Sequence, residues 1–404
     1  MLVSLKKYFK GDPVIWMVIL LLSIFSLLAV YSSTGSLAYR FQGGNTSYYI
    51  LKHATILFMG LVITYVTHLV PYKYFSRISQ LLLYFAIPLL LVTLVYGVNR
   101  NDASRWLSLP GLSLTFQTSD IAKLAIIMYT ARILAKKQDN IKDFKEAFRP
   151  IIIPLLLVCA LVFPANFSTA ALIFATAFIL MFIGRVHLGY LFGLIGIIVV
   201  VLGIVIGIAL SHKWEGRYST WQKRIESFMN RDEGTDGNYQ VDQAKIAIVR
   251  GGLVNLRPGK SIQRNFLPHP YSDFIYAIII EEYGLIGGVV VLILYLYLLF
   301  RAAVMVRKSS RTFPAFLAIG LAVMITFQAL INMAVAVNLM PVTGQPLPMI
   351  SMGGSSLLFT CVALGIIQSV SRGIKNQQET AEQLSREQIA TEQISPEDEQ
   401  EIHN

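Results

Sequence analysis

The fold of this chain is decided by the run Ser272-Asp273-Phe274-Ile275-Tyr276-Ala277-Ile278-Ile279-Ile280-Glu281-Glu282-Tyr283-Gly284. The run places three carboxylates at and just inside the start of an apolar segment long enough to span a membrane. An acidic side chain near a bilayer is costly unless it faces protein or water, so these residues are functional candidates. A long polar loop precedes the run, which therefore predicts chemistry at a membrane surface.

Composition identifies the class of protein. The chain has 404 residues, of which 55% are hydrophobic and only 14% are charged. A soluble domain cannot bury that much apolar surface, so the sequence predicts an all-α, polytopic membrane protein. Cys159 and Cys361 both lie inside apolar runs, where buried free thiols are expected rather than a disulfide or a metal site.

Hydropathy predicts about ten transmembrane helices, since a span needs about 20 mostly apolar residues. The segment that carries Asp120 and Lys123 is the least hydrophobic of them. The predicted spans are 13–33, 49–70, 79–98, 118–135, 150–164, 168–184, 188–211, 272–300, 312–338 and 350–372.

The distribution of lysine and arginine predicts the orientation. One set of short connections holds fifteen basic residues and the opposite set holds three, so both termini should be cytoplasmic. The large loop 212–270, before the eighth helix, is then extracytoplasmic. Residues 1–372 form one membrane domain, and the Gln- and Glu-rich segment 373–404 is expected to be a disordered cytoplasmic tail.

Helical geometry separates the three carboxylates. Asp273 at a helix start could be a simple cap, but the basic loop upstream and its aromatic neighbours favour a functional role. Eight residues of helix rise about 12 Å, so Glu281 should lie well below Asp273 and the two should not form an acid/base dyad. We expect Asp273 at a water-accessible mouth, with Glu281 and Glu282 bracing helices.

Three further groups are candidates, each with a structural alternative. The outer loop offers basic, amide and glycine residues that suit a pyrophosphate, although composition alone favours a solvated loop near lipid headgroups. Asp120 and Lys123 share a helix face, either as a structural pair or as the wall of a cavity open to the outer leaflet. The stretch 341–356 is interpreted mainly as a rigid structural corner. No GxxxxGK[ST] motif occurs, which argues against an ATP-driven pump.

Three motifs together resemble the SEDS family of peptidoglycan glycosyltransferases, FtsW and RodA. The resemblance covers nearly the whole membrane domain. It departs from the family pattern at Thr118, Asp120, Asn166 and Met352. The matching residues are Arg105-Trp106-Leu107, Phe116-Gln117 and Ser119 to Lys123; Tyr239-Gln240, Gln243, Gly251-Gly252 and Ser272 to Gly284; and Gln328-Ala329, Ile331 to Met333, Pro341, Thr343-Gly344, Leu347-Pro348 and Ser351 to Ser356.

The resemblance implies polymerisation of lipid II at the outer face of the cytoplasmic (inner) membrane, with inversion and loss of undecaprenyl diphosphate. It makes Asp273 the catalytic base, with Lys123, Arg224 and a divalent cation (Mg²⁺ or Mn²⁺) as candidates for stabilising the phosphates. No other cofactor is expected. The further substrate-binding candidates are Asp120, Gln240, Gln243, Lys260, His269 and Ser355.

The expected partners are a class B penicillin-binding transpeptidase and other divisome membrane proteins, with no nucleic acid. The opening Lys10 to Trp16 resembles the division type, FtsW, whereas Pro341 to Gly344 is shared with the elongation type, RodA. We favour division. A lipid II translocator is disfavoured, because the polar residues concentrate in the outer half instead of crossing the bilayer, and a scaffold that holds a partner is a third hypothesis.

Overall fold

The computed structural model describes residues 9–41, 43–100, 103–108, 115–211 and 236–401. Every predicted span is helical, and most ends move by a few residues. In chain order the helices are α1 Pro13–Ser33, α2 Gly35–Phe41, α3 Thr46–Leu69, α4 Lys73–Tyr96, α5 Thr118–Lys136, α6 Arg149–Val162, α7 Phe167–Ile183, α8 Leu188–Ser211, α9 Asp236–Gly251, α10 Ile275–Lys308, α11 Thr312–Ala336 and α12 Gly354–Glu401. A π-helical turn (Phe144–Phe148) and a 3₁₀ turn (Gln263–Asn265) lie between them.

Helix length and apolarity confirm a polytopic membrane protein. Within the described ranges, α1, α3, α4, α10, α11 and α12 are each long and apolar enough to cross a bilayer. The apolar α7 has 17 residues and α6 has 14, so each spans less of the bilayer thickness. Side chains fix several helix starts: Asp12 caps α1 ahead of Pro13, and Asn166 caps α7 through the amide of Thr169.

Most of α11 is buried, and it packs against α5, α7, α10 and α12. The pair α3 and α12 approaches closely at small residues. A Cβ on Gly60 would lie 2.7 Å from the Cys361 sulfur, and one on Gly365 would lie 2.8 Å from the carbonyl oxygen of Thr64. Both cysteines are free, as predicted.

Two elements were absent from the sequence prediction. A small antiparallel sheet joins α4 to α5, in the order β1 (Val98–Arg100), β2 (Ala103–Ser108) and β3 (Thr115–Gln117). Helix α9 lies inside the long loop, where its buried Val241, Ala244 and Ala247 recur at helical spacing.

The prediction of a disordered tail also differs from the structure. Helix α12 continues through this segment to Glu401. The segment is rich in Gln and Glu, which favour helix, and a helix that is already formed extends without a new nucleation cost.

Helix α10 is folded back on itself at Gly284, whose φ of 71° and ψ of −179° are not helical. We call Ile275–Tyr283 the first arm and Leu285–Lys308 the second arm. A Cβ on Gly288 would lie 2.8 Å from Cγ1 of Ile280. In a straight helix residues eight positions apart are separated by about 12 Å, so the first arm must lie against the second.

Candidate active site

Asp273 lies just before the first arm and is half-buried. Its carboxylate accepts a hydrogen bond from the Ser272 hydroxyl at 2.9 Å. Its backbone oxygen accepts one from Nδ2 of Asn332 on α11, also at 2.9 Å. The Ser351 hydroxyl donates to the Ser272 carbonyl at 2.6 Å, and the Met352 amide donates to the Tyr271 carbonyl at 2.9 Å. The backbone around Asp273 is therefore held between α11 and the loop that follows it.

That loop, residues 337–353, forms one wall beside the carboxylate. Gly344 has a φ of +67°, and a Cβ there would lie 3.7 Å from Asp273 Oδ2. Nδ2 of Asn332 also donates to the Gln345 carbonyl at 2.8 Å, so one amide ties the loop to Asp273. Among the described residues, Oδ1 of Asn332 and the Thr343 hydroxyl are buried without a partner. The stretch predicted to be a structural corner thus also shapes the site.

Asp120 and Lys123 form the predicted pair, with the ammonium 3.3 Å from Oδ1 and side-chain exposures of 5% and 6%. The ammonium also donates to Oε1 of Gln328 at 2.7 Å, and Nε2 of Gln328 donates to the Pro346 carbonyl at 3.0 Å. The adjoining cavity has room for about one water molecule. In this conformation the pair is connected to the site indirectly, by hydrogen bonds through Gln328 to the 337–353 loop. A direct contact of Asp120 or Lys123 with substrate stays a prediction.

His269 and Ser355 lie in different surroundings. His269 is exposed, and its Nδ1 is 3.4 Å from the hydroxyl of Tyr271. Burial raises the pKa of the Tyr271 phenol, and the nearby Asp273 and Tyr49 raise it further. Ser355 is buried, and its hydroxyl accepts a hydrogen bond from the Gln117 amide at 3.1 Å, joining α12 to the start of α5.

The candidates of the long loop are dispersed. Gln240 and Gln243 are half-buried on α9. Lys260 is exposed, next to Gly259, whose Cβ position is 3.7 Å from the Tyr31 ring at the end of α1. Arg224 lies outside the described residues.

The Gly251-Gly252 pair ends α9, and Gly251 allows close helix packing. A Cβ on Gly251 would lie 2.0 Å from the carbonyl oxygen of Ile280, so α9 can touch the first arm only with glycine here. Gly252 has a φ of +57°, which ends α9 in a sharp turn.

Glu281 and Glu282 are structural, as predicted. The Glu281 carboxylate accepts hydrogen bonds from the Ser261 hydroxyl, the Ile262 amide at 3.0 Å and the Gln263 amide at 3.3 Å. Glu282 accepts from the Ser261 amide at 3.0 Å and from the Ser32 hydroxyl of α1. Together they hold the 255–264 segment against α10 and α1.

Two contacts at opposite ends of α1 define a distance scale along the bundle, which we call the α1 ruler. At one end Nε of Arg301 donates to the Asp12 carboxylate at 2.9 Å; we call this contact the Asp12 tie. At the other end the Ser32 hydroxyl donates to Glu282, the Ser32 tie. Twenty residues separate Asp12 from Ser32, so the ties are about 30 Å apart, which is the thickness of a hydrocarbon core.

Asp273 is recessed on this ruler. The Ser26 hydroxyl, fourteen residues from Asp12, donates to the Ile350 carbonyl at 3.1 Å, which puts the loop about 21 Å above the Asp12 tie. Since Ser351 bonds to the residue before Asp273, the carboxylate lies roughly 10 Å below the Ser32 tie. The prediction that Glu281 lies below Asp273 is therefore wrong. The fold-back at Gly284 reverses the order of the two acids.

Comparison with known proteins decides the family. The family model of the FtsW/RodA/SpoVE cell cycle proteins matches residues 12–376. The chain belongs to this family. It is 32% identical over 384 residues to a probable peptidoglycan glycosyltransferase FtsW of Trichlorobacter lovleyi, covering 93% of this chain and 97% of the relative. It is also 32% identical to the stage V sporulation protein E of Bacillus subtilis, covering 91% of this chain and 98% of the relative.

Solved structures share the FtsW/RodA/SpoVE fold. A chain of a peptidoglycan synthase complex, described as coordinating polymerisation and crosslinking, matches with a TM-score of 0.67 at 22% identity, covering 90% of this chain and 98% of that one. Rod shape determining protein RodA of Thermus thermophilus matches with a TM-score of 0.63 at 22% identity, covering 90% of this chain and 97% of that one.

Sequence reasoning did not assign roles to Gln328 and Asn332 of this family member, and it placed Gly344 only in the structural corner. The two amides carried a signal, because an amide side chain inside an otherwise apolar 25-residue helix is costly and must find partners. The partners, Lys123 and the carbonyls of the 337–353 loop, are distant in sequence, so the signal could not name them.

Proposed function

We propose that this chain is a peptidoglycan glycosyltransferase of the FtsW type that polymerises lipid II in the cytoplasmic membrane. One contrast carries the assignment of the site. Asp120, Glu281 and Glu282 are 4%, 4% and 1% exposed and are engaged by neighbouring donors, whereas Asp273 is only partly buried. Asp273 is thus the carboxylate of this group that a substrate can reach. The basic short loops at the Asp12 end support an orientation in which Asp273 opens to the outside.

In the proposed reaction, Asp273 accepts the proton of the 4-hydroxyl of the incoming sugar. The freed oxygen attacks the anomeric carbon of the growing strand, and the bond to the diphosphate breaks with its electron pair on the leaving undecaprenyl diphosphate, so the configuration inverts. The Ser272 hydroxyl and the Asn332 amide orient the base.

A divalent cation fits this site as a helper of the diphosphate. Within the described ranges no three His, Cys, Asp or Glu side chains come together, so the protein offers one carboxylate, Asp273, with the partnerless oxygens of Asn332 and Thr343 nearby. Mg²⁺ commonly binds through one or two carboxylates plus phosphate oxygens and water. Bound there, it would neutralise charge on the departing diphosphate.

The assignment is tested with purified protein and lipid II. Asp273→Asn should fold and bind lipid II but form no glycan strands. Asp242→Asn is a matched control, because Asp242 is an exposed carboxylate on α9 paired with Lys245. Polymer formation by Asp273→Asn at the rate of the control would overturn the assignment.

A lipid II translocator is the second candidate. The ruler argues against it, because Asp273 lies nearer the Ser32 tie than the Asp12 tie. Movement of labelled lipid II across proteoliposomes without polymer formation would reverse the ranking.

We also propose a septal role with a class B penicillin-binding transpeptidase as partner. The support is the FtsW name of the relatives and the similarity to a chain of a complex that coordinates polymerisation and crosslinking. Depletion should give filaments. Spheres would instead indicate the elongation role of RodA.

A further inference from the structure

A group of exposed apolar side chains lies at the end of α9 and in the turn that follows it. Val249 is 80% exposed, Leu253 72%, Val254 66% and Leu256 77%. We call these four residues the α9 apolar surface. Clustered exposed aliphatic side chains mark a surface that contacts something other than water.

The α9 apolar surface is joined directly to the second arm of α10. At the fold-back, the amides of Leu285 and Ile286 lose their helical acceptors and donate instead to the carbonyls of Gly252 at 2.9 Å and Leu253 at 3.3 Å. Leu285 and Ile286 are 43% and 56% exposed. Their exposed side chains continue along the second arm, which is long and apolar enough to span the membrane. The two apolar surfaces are therefore continuous.

The ruler places this junction at the edge of the hydrocarbon. Sixteen residues of second arm separate Arg301, in the Asp12 tie, from Leu285, a rise of about 24 Å. The junction is thus some 6 Å inside the level of the Ser32 tie. Arg250 and Arg257 flank the α9 apolar surface and are exposed. Basic residues beside an interfacial apolar group can extend to lipid phosphates.

We propose that the α9 apolar surface inserts into the leaflet at the Ser32 end and contacts the acyl chains of the bilayer lipids. Continuity with the lipid-facing side of α10 favours lipid over a protein occupant. The insertion also supports the active site, because Gly251 of the same segment packs on Ile280 of the first arm. The inference concerns the membrane surface and stands apart from the proposed reaction.

Site-directed spin labelling of the full chain in lipid nanodiscs tests the proposal. The chain has two cysteines, so Cys159→Ala/Cys361→Ala gives a background for single labels. Nitroxides at Leu253 and Leu256 are compared with one at Ile286, the lipid-facing control, and one at Lys260, the exposed control nearby. We expect the ratio of collisions with oxygen to collisions with a water-soluble nickel chelate to match Ile286 and to exceed Lys260 severalfold.

Two results would overturn the proposal. A ratio equal to that of Lys260 means that the surface faces water. Low collision rates with both reagents mean that protein covers it, whether a second copy or another chain. If a label at Leu253 prevents folding, the same comparison at Val249, an exposed residue on α9 before the junction, decides the question.

Discussion

Replacing Lys123 with methionine tests how the buried ion pair supports the site. The change keeps an unbranched side chain of similar length but removes the ammonium. Oδ1 of Asp120 then loses its donor at 3.3 Å, while Oδ2 already lacks a partner. Stranding one member of a buried pair costs about 3–5 kcal/mol. We expect the free energy of unfolding, measured by SDS titration in mixed micelles, to fall by that amount.

The double variant Asp120→Leu/Lys123→Met separates stability from positioning. It removes the stranded charge, so its free energy of unfolding should return to within about 1 kcal/mol of the parent. Its polymerisation rate should stay low, because Gln328 has lost the ammonium at 2.7 Å that holds it toward the Pro346 carbonyl. Equal stability of the single and double variants, or full activity of the double variant, would refute this reasoning.

Three other perturbations probe the support of Asp273. Asn332→Leu removes two donors worth about 1 kcal/mol each, so kcat should fall by up to about 30-fold at constant KM; a change confined to KM would contradict this. Gly284→Ala should destabilise the protein by at least about 3 kcal/mol, since φ is +71° and the new Cβ would lie 2.6 Å from the carbonyl oxygen of Leu253, whereas Gly193→Ala, with open space around it, should change stability little. Glu281→Ala should speed hydrogen exchange at the Ile262 amide, and unchanged protection there would show that the Glu281 carboxylate does not hold the 255–264 segment.

Hydropathy was sufficient to locate the membrane-spanning helices of the described residues, because a bilayer imposes a length and an apolarity that a single sequence displays. The Asp120–Lys123 pair was predictable for a similar reason, since both residues lie on one turn of one helix. The expected bracing role of Glu281 and Glu282 is seen in their contacts, although the depth inferred from their spacing was wrong.

The fold-back of α10 was not predictable from the same signals. Glu281 and Glu282 interrupt the apolar run just before Gly284, but acidic residues do not by themselves indicate a break, and an isolated glycine in a helix costs only about 1 kcal/mol relative to alanine. What makes the break stable is the pair of carbonyls from Gly252 and Leu253, which replace the lost helical acceptors. These two carbonyls lie some thirty residues upstream, so the residues next to Gly284 do not predict the contact.

The recess of Asp273 has a consequence for the vertical position of the substrate. The diphosphate of a membrane lipid normally rests at headgroup level, yet the base lies roughly 10 Å lower on the α1 ruler. A sugar that meets this base must draw its diphosphate and the top of its polyprenyl chain downward, or the bilayer must thin around the site. Bilayer thickness thereby becomes a variable of the reaction: lipids with longer acyl chains should slow polymerisation in nanodiscs, because the substrate has further to descend.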